Sequence, residues 1–338
     1  MVNKVELPVS MPLYATYQHQ GSGCVASAAN PTISNWYVSN CVSLQCNRKF
    51  LTGYTTPQLM ICNTSLEDNP HLEKHIVNFR FTWDSRDKII KRMLRLGYYV
   101  YFYGVDDFYI DGKTYFNQQH FTHDGMICGF DEEKKTYSLF SYDQRWIYRV
   151  FETPMKSFGR AVRTEINRGY HGYVLAIKAT GARVGLDMPL LNSNLKEYLH
   201  SDWARYPLDG EGDVYGTVVH DYLCLYLDRL ANGDIPYEKM DHRLFRMIWE
   251  HKKGMLDRIR TVEERLGLSP DIGDGYAPLI AQADHMRMLY ARYHRRRDDR
   301  LLGSIKTKLM EVKQREIVLL SHLTEAIDRA AAGTEVSA

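Results

Sequence analysis

The sequence predicts an α+β fold, with an antiparallel sheet in the first half and a mainly helical second half. Three observations predict it. Between residues 98 and 177, aromatic and β-branched runs alternate with short polar turns. Beyond about residue 190 the apolar residues recur at helical spacing. With 338 residues, 44% of them hydrophobic and 25% charged, the chain can bury a large core as a soluble globular protein. The expected organisation is one domain over residues 1–185, a helical domain over 186–330 and a flexible tail over 331–338.

Helical patterns precede the sheet. The clearest runs from Arg86 to Leu96, with Ile89, Ile90, Met93 and Leu94 at helical spacing. Strand signals follow at Tyr98–Tyr103, His120–Phe130, Thr136–Ser141, Arg145–Phe151 and Tyr170–Ile177. Turns of a few residues, such as Asp131 to Lys135, join them into a meander. The second half opens with a helix expected over Asp213 to Leu230, its apolar stripe passing through Val218, Tyr222, Leu225 and Leu227. Asn232-Gly233 ends it. Pro236 opens the next helix, which runs to Leu266-Gly267. Two long helices are expected over 277–299 and 301–329, and the end from Ala330 should fray.

Composition excludes several function classes. A net charge of +2 gives no basis for a nucleic-acid or membrane partner. No apolar run reaches the roughly 20 residues of a membrane-spanning helix. The N-terminal residues lack the apolar core of a signal peptide, which points to a cytoplasmic location. None of the six cysteines forms a C-x-x-C pair, and Cys41 and Cys46 are too far apart for a zinc knuckle. His251, His285 and His294 show no metal-ligand spacing, and there is no Gly-rich phosphate loop, so no metal and no cofactor is expected.

The chemistry centres on Cys24. The stretch Gln18-His19-Gln20-Gly21-Ser22-Gly23-Cys24 sets a glutamine six residues before a cysteine. A thiolate that attacks a carbonyl needs a donor for the resulting oxyanion, and a glutamine one short loop upstream supplies one. Gln20 is the rival donor. Small residues after Cys24 favour a helix starting there, whose N-terminus stabilises a thiolate. Pro31 should kink or end that helix. The alternative at Cys24 is a structural thiol in a glycine-rich turn.

His123 lies in a strand signal, and the hairpin that follows brings Asp143 back towards it. A carboxylate there would fix the imidazole tautomer and stabilise the imidazolium. His120 is the rival base, on the opposite strand face. Asp131 is the rival acid, in what reads as a solvated turn. Tyr101, Tyr103, Phe108, Tyr109 and Tyr115 are candidates to wall the site, against a plainer reading as sheet and core aromatics.

Together, Gln18…Cys24, Val105-Asp106-Asp107-Phe108-Tyr109-Ile110, His123-Asp124-Gly125-Met126 through Asp131, and Asp143 resemble the N-terminal domain of the butirosin biosynthesis acyltransferase family. The resemblance covers roughly residues 10–180. That family belongs to the papain-like, C39-like cysteine peptidase superfamily, and the amide synthase of closthioamide assembly is similar. The resemblance implies a papain-like fold. It also implies transfer of an acyl group from a carrier-protein thioester to a small amine, in natural-product biosynthesis. Cys24 would be nucleophile, His123 base, Asp143 orienter and Gln18 oxyanion donor, with Tyr103, Asp107, Phe108 and Tyr109 at the substrate. The donor would arrive on the phosphopantetheine of an acyl or peptidyl carrier protein.

Arg292, Arg296 and Arg300 are candidates to dock that carrier, with Arg296 and Arg300 on one helix face. The plainer reading is a solvated face balanced by Asp298 and Asp299. Two other functions remain open: a cysteine peptidase or thioesterase with water as acceptor, and a non-catalytic scaffold of the same fold. The long C-terminal helices also allow a homo-oligomer.

Overall fold

The computed structural model describes residues 3–53, 55–64, 66, 68–78, 83–167, 173–201 and 212–335. In chain order the elements are β1 Lys4–Glu6, α1 Gln18–Ala26, α2 Ser34–Asn40, β2 Leu44–Asn47, β3 Leu59–Ile61, β4 Leu72–Asn78, α3 Trp83–Arg95, β5 Tyr99–Asp106, β6 Thr122–Asp131 and β7 Thr136–Tyr142. They continue with β8 Tyr148–Pro154, α4 Met155–Asn167, β9 Tyr173–Ala179, α5 Met188–His200, β10 Asp213–Tyr215, α6 Val219–Ala231, α7 Arg243–Leu266, α8 Asp271–Arg296 and α9 Arg300–Glu335. The chain divides into two compact units. The first joins Met1–Ser34 to Ser65–Val184, and the second joins Asn35–Thr64 to Gly185–Ala338. A linear division near residue 185 therefore misplaces Asn35–Thr64.

In the first unit the strands run in the order β4-β9-β5-β6-β7-β8, and β1 adds to β6. The pairings are antiparallel throughout. Val100, Phe102, Ile127 and Leu139 from the strands share one buried cluster with Ile90 and Leu94 of α3 and Phe158, Ala161 and Val162 of α4. The apolar spacing of α3 buries one face of that helix, and Gly97, at φ +86°, turns the chain from α3 into β5. Gly129 lets β1 close on β6, because a Cβ there would lie 2.5 Å from the Val5 carbonyl oxygen. A bulge in β5 between Phe102 and Val105 sets Val105 opposite His123. The end of β5 thereby meets the start of β6. The strand expected from Tyr170 begins, among the described residues, at Tyr173.

The second unit holds a three-stranded antiparallel sheet, β10-β2-β3, and the long helices. Asp213 begins a strand rather than the expected helix, which starts at Val219. The buried face of α6 runs through His220, Leu223, Tyr226, Leu227 and Leu230, while Leu225 of the expected stripe is 45% exposed. Helix α8 begins at Asp271, before the expected start, and contains Pro278. Helix α9 continues to Glu335, past the expected frayed end; residues 336–338 lie outside the described residues.

Arg258 of α7 explains why Asn35–Thr64 belongs here. Its guanidinium, fully buried, donates to the carbonyls of Tyr37, Val38 and Cys41, and so caps the end of α2.

Glu316 of α9 sits in the centre of this unit. Its carboxylate accepts from Lys252 Nζ at 2.6 Å, from the Tyr198 hydroxyl at 2.7 Å and from the Tyr276 hydroxyl. Lys252 Nζ also lies 3.2 Å from His220 Nε2 and 3.4 Å from His251 Nδ1. The far nitrogens of both rings donate to carbonyls, those of Thr217 and Val42. Both imidazoles are therefore neutral acceptors facing an ammonium. All six side chains are fully buried.

Burial pushes the His220 imidazole down to about 3, and Lys252 adds to the effect. In the unfolded chain it would protonate near 6.5, so its contribution to stability is full above that pH and is lost as the pH falls towards 3. Burial, the largest single influence, would raise the Glu316 carboxyl, but Lys252 and the neighbouring histidines together outweigh it and hold it at about 2, so this contribution fades below about 4.5. Both act in one direction. Resistance of the full chain to urea, followed by helical circular dichroism, should fall steadily from pH 7 to pH 4, and a flat or rising profile would contradict the assignment. At pH 7, Glu316→Gln should lower the unfolding free energy by about 3–5 kcal/mol, because it leaves Lys252 buried without its counter-charge.

Candidate active site

The first unit gathers its polar side chains where β5 ends and β6 begins. Asp106 closes β5, and its carboxylate accepts from the Phe108 N–H at 3.2 Å, which caps the short turn Asp107–Tyr109. Asp107 is anchored by its own N–H to the Phe121 carbonyl at 2.8 Å. Two aspartate–histidine pairs result. His120 Nδ1 meets Asp106 at 2.7 Å, and His123 Nδ1 meets Asp107 at 2.5 Å.

The two histidines differ in surroundings. The His120 side chain is 42% exposed and stacks on Phe108 at 4.4 Å. That of His123 is 20% exposed, and Phe121, Trp146 and Tyr115 surround its ring.

Asp107 is 1% exposed and also faces a lysine. Lys113 Nζ lies 3.4 Å from its other oxygen and is itself buried. Burial lowers the Lys113 ammonium, and Asp107 opposes that. Lys113 donates to the Ser141 hydroxyl at 2.6 Å, and Ser141 donates onward to Gln18 Oε1 at 2.7 Å. An ammonium has no acceptor, so Ser141 receives from Lys113; its one proton has Gln18 Oε1 at 2.7 Å and the Asp124 carbonyl at 3.2 Å as acceptors, and the shorter contact is the one to Gln18. With the proton directed there, Gln18 Oε1 faces Ser141, and Nε2, with its two donors, is the other end. Gln20 Oε1 is buried with no hydrogen-bond partner among the described residues, which separates the two glutamines. Lys113 and Ser141 carry no signal in the sequence pattern and were not anticipated.

Asp143 does not orient His123, contrary to the sequence expectation. Its Oδ1 accepts from the N–H groups of Arg145 and Ile147 at 2.8 and 2.9 Å, and its Oδ2 from Arg149 at 2.6 Å. Burial would raise this carboxyl, but the Ile147 and Arg149 bonds outweigh it and hold it low. Its work is to fold the β7–β8 turn. Asp131 likewise accepts from Glu133 and Lys134 N–H groups in an exposed turn. Asp107, expected at the substrate, is the carboxylate behind His123. The clue was Asp106-Asp107 at a strand end, facing His120 and His123 across a hairpin.

Cys24 also differs from expectation. Helix α1 starts at Gln18, so Cys24 stands in its last turn rather than at its N-terminus. The helix's positive end lies at Tyr17–Gln20. The glycines expected to form a loop are helical, and Gly21 allows close packing against the Tyr14 carbonyl and Tyr148. Ser22 and Ser27 each bond the carbonyl four residues back at 2.8 Å. The helix ends at Ala26, before Pro31, which opens a separate 3₁₀ turn capped by Asn30.

Cys24 lies six residues along α1 from Gln18, about 9 Å along the axis. Tyr148, held un-ionised first by burial, also senses Cys24 and Asp124, the neighbour of His123. Asp124 is raised by burial and bonds the Tyr101 hydroxyl at 2.5 Å. All six cysteines are free, and Cys24 and Cys224 alone are half-buried. Burial pushes the Cys224 thiol up to about 11, so Cys24 is the better candidate for reactivity.

Of the remaining expected residues, Tyr103 packs edge-on against Tyr101 and Tyr173, Phe108 lies edge-on to Tyr109 and stacks on His120, and Tyr109 packs against the buried cluster of the sheet. Arg296 and Arg300 do not share a helix face: α8 ends at Arg296, the chain turns at Arg297 with φ +51°, and α9 starts at Arg300. Arg300 is held by Asp298, and Arg292 is exposed on α8. Among the described residues no three His, Cys, Asp or Glu side chains converge as a metal site, and no helix is long and apolar enough to cross a membrane. Compared with known protein families and with curated proteins, the chain matches none.

The pairing predicts a tautomer. Nitrogen-15 NMR should show neutral His123 protonated at Nδ1, and Asp107→Asn should shift the population towards Nε2–H. Asp143→Asn should leave it unchanged; the reverse pattern would restore Asp143 as the orienter.

Proposed function

We propose that the chain is a cysteine-dependent acyltransferase that moves an acyl group from a carrier-protein thioester to an amine. The observation that carries this reading is the buried Asp107 holding His123 Nδ1 at 2.5 Å while, through Lys113 and Ser141, it is linked to the orientation of Gln18. A tethered imidazole with a directed amide donor is the equipment of acyl transfer. The order of elements, with a helix carrying the cysteine followed by an antiparallel sheet carrying the histidine, supports a papain-like reading of the first unit. The late position of Cys24 in α1 is a departure from that pattern.

In the proposed cycle, His123 Nε2 takes the proton from Cys24 Sγ. The thiolate attacks the thioester carbonyl, and Gln18 Nε2 donates to the oxyanion. The backbone N–H of Cys24 lies within α1, so the proposed donor is a side-chain amide, that of Gln18. Collapse breaks the bond to the pantetheine sulfur, which leaves as a thiol with the proton from His123. An amine then attacks acyl-Cys24 and gives a proton to His123. The amide departs, and the proton returns to the Cys24 thiolate. No redox partner is required. Asp107 keeps Nε2 as the basic nitrogen and stabilises the imidazolium. Because 20% of the His123 side chain is open, water can also reach it, and a thioesterase or peptidase uses the same residues with water as acceptor.

Intact-protein mass spectrometry with acyl-pantetheine and carrier-bound thioesters tests the proposal. An adduct of acyl mass should form, disappear in Cys24→Ala, and be discharged by an amine faster than by water. Discharge by water alone would make the protein a hydrolase, and no adduct with any thioester would refute both. Asp107→Asn should slow adduct formation by roughly 10²–10⁴-fold, whereas Asp131→Asn should not slow it.

A further inference from the structure

Trp146 is a bulky side chain in a backbone conformation that favours glycine. It sits in the β7–β8 turn at φ +58°. A non-glycine residue there is strained, and such strain persists only where the surroundings impose it. The surroundings here are unusually complete. Asp143 N–H donates to the Ile147 carbonyl at 3.0 Å, and Trp146 N–H to the Asp143 carbonyl at 2.9 Å. The buried Asp143 carboxylate takes both the Arg145 and Ile147 N–H groups. Gln144 N–H bonds the Gly112 carbonyl at 2.6 Å, which ties the turn to the loop that carries Lys113 and Tyr115.

All this restraint holds an indole in the open. Trp146 is 49% exposed, Ile147 50% and Phe121 37%. Folding gains nothing from such exposure, and contiguous exposed apolar surface marks interaction and ligand sites. Trp146 and Phe121 border His123. Trp146 stands edge-on to the imidazole at 5.9 Å and Phe121 tilts against it at 4.6 Å. Tyr115 stacks at 6.3 Å and touches both Phe121 and Trp146.

We infer that Trp146, with Phe121, is a specificity-determining rim that takes the apolar chain of the acyl group presented to His123. The inference rests on the acyl-transfer reading for its substrate and on the rim for its selectivity. An acyl carbonyl under attack must lie within a few ångströms of the base, so the chain beyond it passes along these rings. An extended apolar acyl group covers the exposed indole, whereas acetyl is too short to reach it.

The test uses full-length Cys24→Ala protein, so that binding is read without turnover. Phenylacetyl-pantetheine and acetyl-pantetheine are titrated by calorimetry. The phenylacetyl compound should bind at least tenfold more tightly, and adding Trp146→Gly should bring the ratio to within about twofold. Glycine is at ease at this φ, so the melting temperature should hold or rise; a purely structural Trp146 would lower it and leave the ratio alone. Equal affinities, or a ratio that Trp146→Gly does not change, would overturn the rim. The two readings fail separately. If no thioester acylates the wild type but the ratio holds, acyl transfer falls and the apolar site stands. If adducts form and the ratio is absent, the rim alone falls.

Discussion

A carboxylate that is 1% exposed must be matched by charge and hydrogen bonds, or burial will neutralise it. Asp107 is matched on two sides, by His123 and by Lys113. Much of the candidate site follows from this requirement. Lys113 can lie buried because Asp107 faces it, and it then directs Ser141 and Gln18. The bulge in β5 matters for the same reason, since it sets the register that brings Asp107 to His123. Removing Asp107 would leave a buried ammonium unpaired as well as an imidazole untethered.

The second unit repeats the principle around Glu316, without an opening to solvent. Tyrosines from α5 and α8, histidines from α6 and α7 and Lys252 converge on one carboxylate, all fully buried. A site closed in this way fixes how helices pack; it does not admit a substrate. The first unit differs because its histidine is left partly open beneath an aromatic rim. That contrast is why the functional reading lies with His123.

The sheet, its turns and the helical second half were legible because period-2 and period-3.6 patterns report burial directly. Cys24, Gln18 and His123 stood out by residue type and spacing. Asp107 was visible but given the wrong role, since a hairpin reading looks to the strand after His123 and the acid comes from the turn that follows the bulged strand before it. Asp143 misled because an aspartate at a strand end serves equally to fold a turn. Lys113 and Ser141 were not legible at all: a lysine in an Asp-Gly-Lys turn reads as exposed, and only the tertiary fold buries it. The same limit applied to Asn35–Thr64, which contacts far along the chain join to the second unit: Arg258 with the α2 carbonyls, and β10 with β2.

The central claim is that His123, held by Asp107, activates Cys24. The most direct measurement is the rate of Cys24 alkylation by iodoacetamide from pH 5 to pH 10, followed by peptide mapping. Wild-type protein should stay reactive well below the range near 8.5 where an ordinary thiol ionises, and His123→Ala should return Cys24 to that range. Coincident profiles for the two proteins would contradict the account.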